Sequence, residues 1–332
     1  MPKDYDLVAI GDITTDAFIR LKDASVFCDV NREKCKLCVS FGDKVPYEFV
    51  EVVQAVGNSP NAAVAAARLG LRSGLVANVG DDQNGGECLA TLKRNSVALE
   101  FMTAHRHKET NYHYVLWYED ERTILVKHQE FAYKLPDFGT PAWIYLSSLG
   151  PSSLSYHEEI IGYLAAHPTI KLAFQPGTFQ IKLGTSRLGE LYKHAEVLFC
   201  NVDEAKRILG IIEEVNIAPL LEKLRSLGSK LVVITDGPKG AYSYDGERTL
   251  FMPPYPDPKP PFERTGAGDA FSSTFTAALA LGKNVEEALR WAPVNAMSVV
   301  QYIGAQRGLL SREEIERIVR EAPENYQPKA LS

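Results

Sequence analysis

The sequence predicts an α/β protein, a right-handed, doubly wound three-layer sandwich carrying a small β-sheet lid. Three observations lead there. Short, near-continuous apolar runs recur at Leu7 to Ile10, Leu75 to Val79, Trp143 to Leu146, Leu172 to Phe174, Val197 to Phe199 and Leu231 to Thr235. Runs of that length without alternation suit strands buried on both faces of a parallel sheet. Helical patterns with readable ends lie between them. Two stretches, 17–55 and 111–127, break the rhythm with β-branched and aromatic segments and no helix between.

Taken in order, the first helix is expected to start at Ser59-Pro60, a cap followed by a first-turn proline, and to stop at Gly70. Glu119 to Arg122 reads as a polar hairpin turn inside the second lid stretch. Asn201-Val202-Asp203-Glu204 opens a helix that stops at Gly210, after the strand run EVLFC. The segment AYSYDGERTLFM reads as a hairpin turned at Asp245-Gly246, and DPKPP (257–261) as a proline-stiffened connection. Two long helices follow, over about 266–281 and 284–303. The expected division is a core of 1–16, 56–110 and 128–332, with 17–55 and 111–127 as the lid. Exposed sheet edges in the lid invite pairing, so a homodimer through the lid is expected.

Bulk properties narrow the function. A chain of 332 residues with 45% hydrophobic and 23% charged residues has an ordinary globular composition. Its net charge of −6 argues against a nucleic-acid surface. No apolar run approaches the roughly 20 residues that span a bilayer, and the N-terminal residues lack a secretory pattern. Five cysteines are too few for a disulfide framework, so a reducing cytoplasm is expected. Cys28, Cys35 and Cys38 are read as free thiols, not zinc ligands, because no fourth partner is evident. Arg32, Lys34 and Lys36 would make them oxidation-prone.

The most informative segment is RTGAGDAFSSTFTAALALG. Gly266, Ala267 and Gly268 are small residues opening a strongly helical run. Small residues there let a ligand approach the backbone, whose unpaired N–H groups and helix dipole favour an anion. Asp269 falls in the first turn, beside whatever those groups bind. Read alone, the same residues also fit a tight loop followed by a capping carboxylate.

TGAGDAF resembles the signature of the ribokinase-like (PfkB) sugar and nucleoside kinases, and other segments resemble that family in the same order. GDITTDAFIRL is similar to its first strand and the acidic residue ending it. VGNSPNAAVAAARLGLRSGLVANVGDDQNG is similar to its first signature, NVDE to its N-x-x-E motif, and VVITDGPKGA to its nucleotide-loop strand and turn. The resemblance spans residues 7 to about 307 and implies a ribokinase-like fold and an ATP-dependent kinase that phosphorylates a hydroxyl.

On this resemblance Asp269 is the general base for the acceptor, and the amides of Gly266, Ala267 and Gly268 hold the transferring phosphoryl group. Asp16, with Asp12 as a second acid, and Gly57, Asn58 and Asn61 bind the acceptor. Thr235, Gly237, Gly240, Thr265 and Asn295 belong to the nucleotide site. Asn201 and Glu204 order magnesium-bound phosphates, Glu204 acting through water; from the residues alone they fit a helix cap. The chain departs from the family in Glu263-Arg264-Thr265, where Asp-Thr-Thr is common. Potassium dependence is therefore in doubt, and Arg264 is read either as a phosphate contact or as an exposed ion pair.

A sugar acceptor fits GDITTD and the lid. A nucleoside is the alternative, because QPGTF (175–179) departs from the pattern of many sugar kinases and Phe18, Phe41, Tyr47 or Phe49 offers a ring to a base. A dinucleotide-dependent oxidoreductase lacks its G-x-G-x-x-G after the first strand. A non-catalytic binding protein is disfavoured by the presence of Asp269, Asn201 and Glu204.

Overall fold

The computed structural model describes residues 5–29, 35–119, 121–213 and 215–331. Its main sheet has ten strands among these residues. From one edge they run Lys329–Leu331, Thr249–Met252, Ala241–Tyr244, Leu231–Thr235, Ala195–Asn201, Lys171–Phe174, Trp143–Leu146, Leu7–Ile10, Ser73–Gly80 and Met102–His105. Neighbours from Leu231–Thr235 to Met102–His105 are parallel, and the three at the other edge pair antiparallel. All six predicted strand runs lie in this sheet.

Why these runs are unbroken is visible in the packing. Alternate residues of one strand feed two separate cores. Leu7, Ala9, Trp143, Tyr145, Val197 and Phe199 pack with the helices Asn58–Arg68, Gln83–Arg94, Ala267–Ala280 and Val285–Val299. Val8, Ile10, Ile144, Leu146, Leu198 and Cys200 pack against the opposite layer, which holds Leu154–Ala166, Thr185–His194, Val202–Leu209 and Ile217–Arg225. With both faces covered, a polar side chain costs more than an apolar one at almost every strand position.

The chain leaves Leu7–Ile10 towards Ser73–Gly80 on one side and Trp143–Leu146 on the other. That reversal of winding opens a crevice beyond the carboxyl ends of these strands, where ligands bind in open α/β sheets.

A second sheet of four strands covers this end, in the order Tyr47–Val56, Thr14–Leu21, Tyr112–Tyr118 and Glu121–Leu125. Its first two strands pair antiparallel, while Thr14–Leu21 runs parallel to Tyr112–Tyr118. Glu121 and Arg122, expected in the turn, belong to the strand Glu121–Leu125 and pair with Tyr118 and Trp117; Asp120 lies outside the described residues. Phe18, Val115, Trp117 and Ile303 form a small core beneath this sheet.

Four sequence expectations are corrected. The first helix begins at Asn58, two residues early, with Gly57 at its N-cap, φ 125°. Ser59 is no cap, because its hydroxyl donates to the Ile10 carbonyl at 2.6 Å and contacts Ser147 Oγ. Pro60 remains in the first turn, where its missing N–H costs nothing. The last long helix ends at Val299, not 303. There the Val300 carbonyl accepts from Phe262 and Glu263, and the chain turns away. Cys28 and Cys35 are not free thiols. They face one another across a separate hairpin, Ser25–Cys28 with Cys35–Cys38, and are joined as a disulfide with Cα atoms 4.0 Å apart. Cys38 stays free, and Arg32 and Lys34 lie outside the described residues. Finally, Asp16 does not end the first strand, Leu7–Ile10, but sits within the small sheet's strand Thr14–Leu21.

Candidate active site

Asp269 stands in the first turn of Ala267–Ala280, capped by Gly266 in the left-handed region at φ 82°. Any side chain at Gly266 would meet Ala305, whose Cβ would be 2.2 Å away. Gly268 faces open space instead. The Gly266 carbonyl is first used by Ala270, so the amides of residues 267–269 point out of the helix end.

Three amide side chains hold the Asp269 carboxylate. Asn58 Nδ2 donates to Oδ1 at 2.6 Å, Asn61 Nδ2 to Oδ2 at 2.8 Å, and Gln175 Nε2 to Oδ1 at 3.2 Å. Burial raises its pKa, and the three amides and the charge of Arg122 oppose that rise. Gln175 is itself fixed, accepting from Tyr145 and from Ser272 Oγ at 3.3 Å. Asn61 is fixed through Oδ1, which accepts from Gln306 Nε2 at 2.9 Å.

Two cavities meet at this helix start. A polar one of about 220 Å³ is lined by Asp12, Asp16, Gly57, Asn58, Asn61 and Asp269, with Asn111, His113, His128 and Thr265 beside them. A second, about 290 Å³, lies beyond Gly268 and is mostly apolar. Thr235, Gly237 and Gly240 line one side, and Arg264, Ala267, Phe271 and Met297 are among the rest. Gly268 and Asp269, consecutive in sequence, face different cavities.

In the polar cavity, Tyr133 donates its hydroxyl to Asp12 Oδ1 at 2.9 Å and Oδ2 at 3.0 Å, and itself accepts from Gly150 N. Burial pushes the Asp12 carboxyl up to about 6 despite those bonds. His113 Nδ1 lies 3.4 Å from Asp16 Oδ1, and the His113 and His128 rings meet edge to face. Asp16 Oδ1, His113 Nε2 and His128 Nδ1 are buried without hydrogen-bond partners. Unsatisfied polar atoms clustered in a cavity are what a hydroxyl-bearing ligand would satisfy.

The remaining residues singled out by sequence fall elsewhere. Asn201 and Glu204 line neither cavity; they form a reciprocal capping box, at 2.8 and 2.9 Å. Burial raises the Glu204 carboxyl, and the charge of Asp269 adds to that rise. Thr265 lines the polar cavity, not the apolar one, because its amide and hydroxyl turn onto Glu263 Oε1. Asn295 is fully buried and lines neither cavity, donating to Thr274 Oγ1 at 2.7 Å and accepting from Leu310 N at 2.9 Å. Its neighbours Pro293, Ala296 and Met297 form the wall instead. Arg264 is exposed at the mouth of the apolar cavity, and its charge bears on Asp257. Sequence reasoning missed Tyr133, His113, His128 and Arg122. Gln175 had one signal, the unusual QPGTF motif, which was read for substrate and not for the base.

Residues 25–312 match the profile of the pfkB family carbohydrate kinases. The chain belongs to that family. It is 30% identical over 269 residues to the ribokinase of Bacillus subtilis (strain 168), covering 79% of this chain and 87% of that one. Against a nucleoside kinase of Methanothermobacter thermautotrophicus it is 26% identical over 318 residues, covering 93% and 94%. Among solved structures, the Arabidopsis thaliana ribokinase complexed with ribose and ATP superposes with a TM-score of 0.78 at 20% identity, over 96% and 99% of the two chains. The Methanocaldococcus jannaschii nucleoside kinase gives 0.75 at 18% identity, over 96% and 100%. The fold is thus ribokinase-like, and this pfkB member is a sugar or nucleoside kinase, a phosphotransferase acting on a hydroxyl group.

Proposed function

We propose that this kinase transfers the γ-phosphoryl group of ATP to a hydroxyl of a sugar, with Asp269 as the base. The observation that carries the reading is the placement of Gly268 and Asp269 on either side of one helix start. ATP takes the apolar cavity, its adenine among Pro293, Ala296 and Met297 and its phosphates over Gly237, Gly240 and residues 266–268. The sugar takes the polar cavity, held by Asp12, Asp16, Asn58 and Asn61 beside Gly57. Its hydroxyl oxygen attacks the γ-phosphorus, the bond to ADP breaks, and the proton passes to Asp269. Positioning and charge neutralisation do most of the work in such transfers.

Magnesium fits this end of the molecule, because Glu204 is an oxygen-donor carboxylate raised by burial and by the nearby charge of Asp269, which a cation would relieve. Glu204 would hold the ion through water, and the ion neutralises phosphate charge when bound. Potassium fits less well, since Glu263 is already engaged by Thr265 and by Arg122. Turnover without added potassium is expected.

The sugar reading is favoured over a nucleoside by the state of the four candidate rings. Phe18 lines the polar cavity but is wedged into the small sheet's core at 1% exposure, Phe49 packs edge-on against Trp117, and Phe41 and Tyr47 are exposed and line neither cavity. Self-association through the lid is supported by Val50, Val52, Tyr114 and Leu125, all exposed and aligned on the outer face of the small sheet. The cytoplasm is the proposed location, and the exposed Cys28–Cys35 bond would be open to reduction there.

Purified protein with ATP and magnesium, assayed for ADP release against pentoses, hexoses and nucleosides, tests this reading. A sugar should exceed every nucleoside in kcat/KM. The reverse order would replace it with the nucleoside reading.

A further inference from the structure

A charged contact ties the small sheet to the loop that leads into the helix start. Arg122, in the strand Glu121–Leu125, places Nη1 3.5 Å from Glu263 Oε1. Its partner across the ladder, Trp117, meets Phe262 edge to face at 5.2 Å. Two facing residues of the hairpin therefore grip two consecutive residues of the loop. The same Glu263 Oε1 accepts from Thr265 N at 2.7 Å and from the Thr265 hydroxyl. Thr265 lines the polar cavity, and Arg264, between them, lines the apolar one.

Glu263 is only 6% exposed, and its Oε2 has no hydrogen-bond partner. A buried carboxylate held this way needs a countercharge, and removing one partner leaves the other uncompensated. Arg122 brings that charge from a different sheet. Its field also reaches Asp269.

We infer that Arg122 is a positioning residue that couples the small sheet to the phosphate-binding loop through Glu263. With the sheet down, the guanidinium completes Glu263, which fixes Thr265 and hence the amides of 266–268. With the sheet away, Glu263 loses its countercharge and the loop loosens. Binding at the loop must then draw the sheet down, because coupling of this kind is reciprocal. The inference rests on the proposal that residues 266–268 hold phosphate.

Magnesium ADP is the probe, since it needs no knowledge of the acceptor. Hydrogen exchange over 112–119 and 121–125 should slow about fivefold or more when it saturates the wild type, the lower end of usual coupling strengths. In Arg122→Gln that protection should vanish and ADP should bind about fivefold more weakly, while exchange in the core strand Leu231–Thr235 stays unchanged and reports an intact fold. Arg122→Lys should keep part of both effects. Adding Glu263→Gln to Arg122→Gln should cost nothing further, because the uncompensated carboxylate has gone. Wild type that binds ADP without protecting the hairpin overturns the coupling and leaves the nucleotide site standing. Arg122→Gln that keeps full protection overturns it equally. Wild type that binds no ADP removes the phosphate assignment, and the coupling with it.

Discussion

The two cavities that meet at Gly268 and Asp269 are built from different materials. The polar one is lined by side chains that are already engaged: Asp269 by Asn58, Asn61 and Gln175, and Asp12 by Tyr133. The apolar one is made of backbone and shape, with Gly237 and Gly240 at positive φ and proline, alanine and methionine opposite. Substitutions on the first side should therefore act on chemistry and sugar affinity, and those on the second through space and rigidity. A pocket of prearranged hydrogen bonds loses a defined amount with each partner removed, whereas a backbone cradle fails when its geometry does.

The largest effect that would blur this contrast is expected at the junction itself. Gly266→Val puts a β-branched residue at φ 82° and drives its Cβ into Ala305. Displacing the loop by an ångström should lower turnover about 10²-fold, with both substrates bound more weakly. Steady-state kinetics on each substrate would check it. Next comes Asp16→Ala on the polar side. Losing a buried hydrogen-bond partner costs about 1–3 kcal/mol, so the sugar KM should rise roughly 10- to 10²-fold. The ATP KM should stay put; equal weakening of both would place Asp16 outside the sugar pocket.

A smaller effect concerns pH. Burial holds the Asp12 carboxyl at about 6, so it is charged above that value and neutral below it. As a carboxylate it accepts from Tyr133 and, on the proposed reading, from sugar hydroxyls, so kcat/KM for the sugar should fall as pH drops through about 6. Tyr133→Phe removes a bond that favours the charged form and should move that midpoint upward. Titration of kcat/KM over about pH 5 to 8 on both proteins gives the comparison. The smallest change in kinetics is expected at Asn295. Asn295→Ala leaves the buried Thr274 hydroxyl without its donor and the half-buried Leu310 N without its acceptor, costing about 1–3 kcal/mol and a few degrees of melting temperature, with the ATP KM nearly unchanged.

These residues also mark what could be read from sequence. The main sheet was legible because strands covered on both faces must be apolar throughout, and no turn chemistry was needed to see Trp143 to Leu146. The helix start at Gly266 to Asp269 was legible because small residues, with glycine at the left-handed cap, open a strongly helical run. Asn295 was misplaced because sequence locates a residue on a helix but not which side of the helix carries the pocket. The helix Val285–Val299 was drawn too long because the apolar pattern continues past it, and what ends it is a long-range bond from Val300 to residues 262–263. Tyr133 lies in an irregular segment with no periodicity to mark it. Arg122 looked like a turn residue, because its partner is 141 positions away. Cys28 and Cys35 needed the hairpin register before they could be paired.

The proposed chemistry needs Asp269 as a base and not as a helix cap. Asp269→Asn keeps the shape and lets the amides of 267–269 stay, but removes the proton acceptor. Turnover with ATP and the preferred sugar should fall about 10²- to 10⁴-fold, while magnesium ADP binds as well as or better than in wild type. A merely structural Asp269 predicts the opposite pattern: a loss of about 1 kcal/mol in stability with turnover nearly intact. Measuring kcat, ADP affinity and melting temperature on this one variant separates the two, and near-normal kcat would contradict the mechanism.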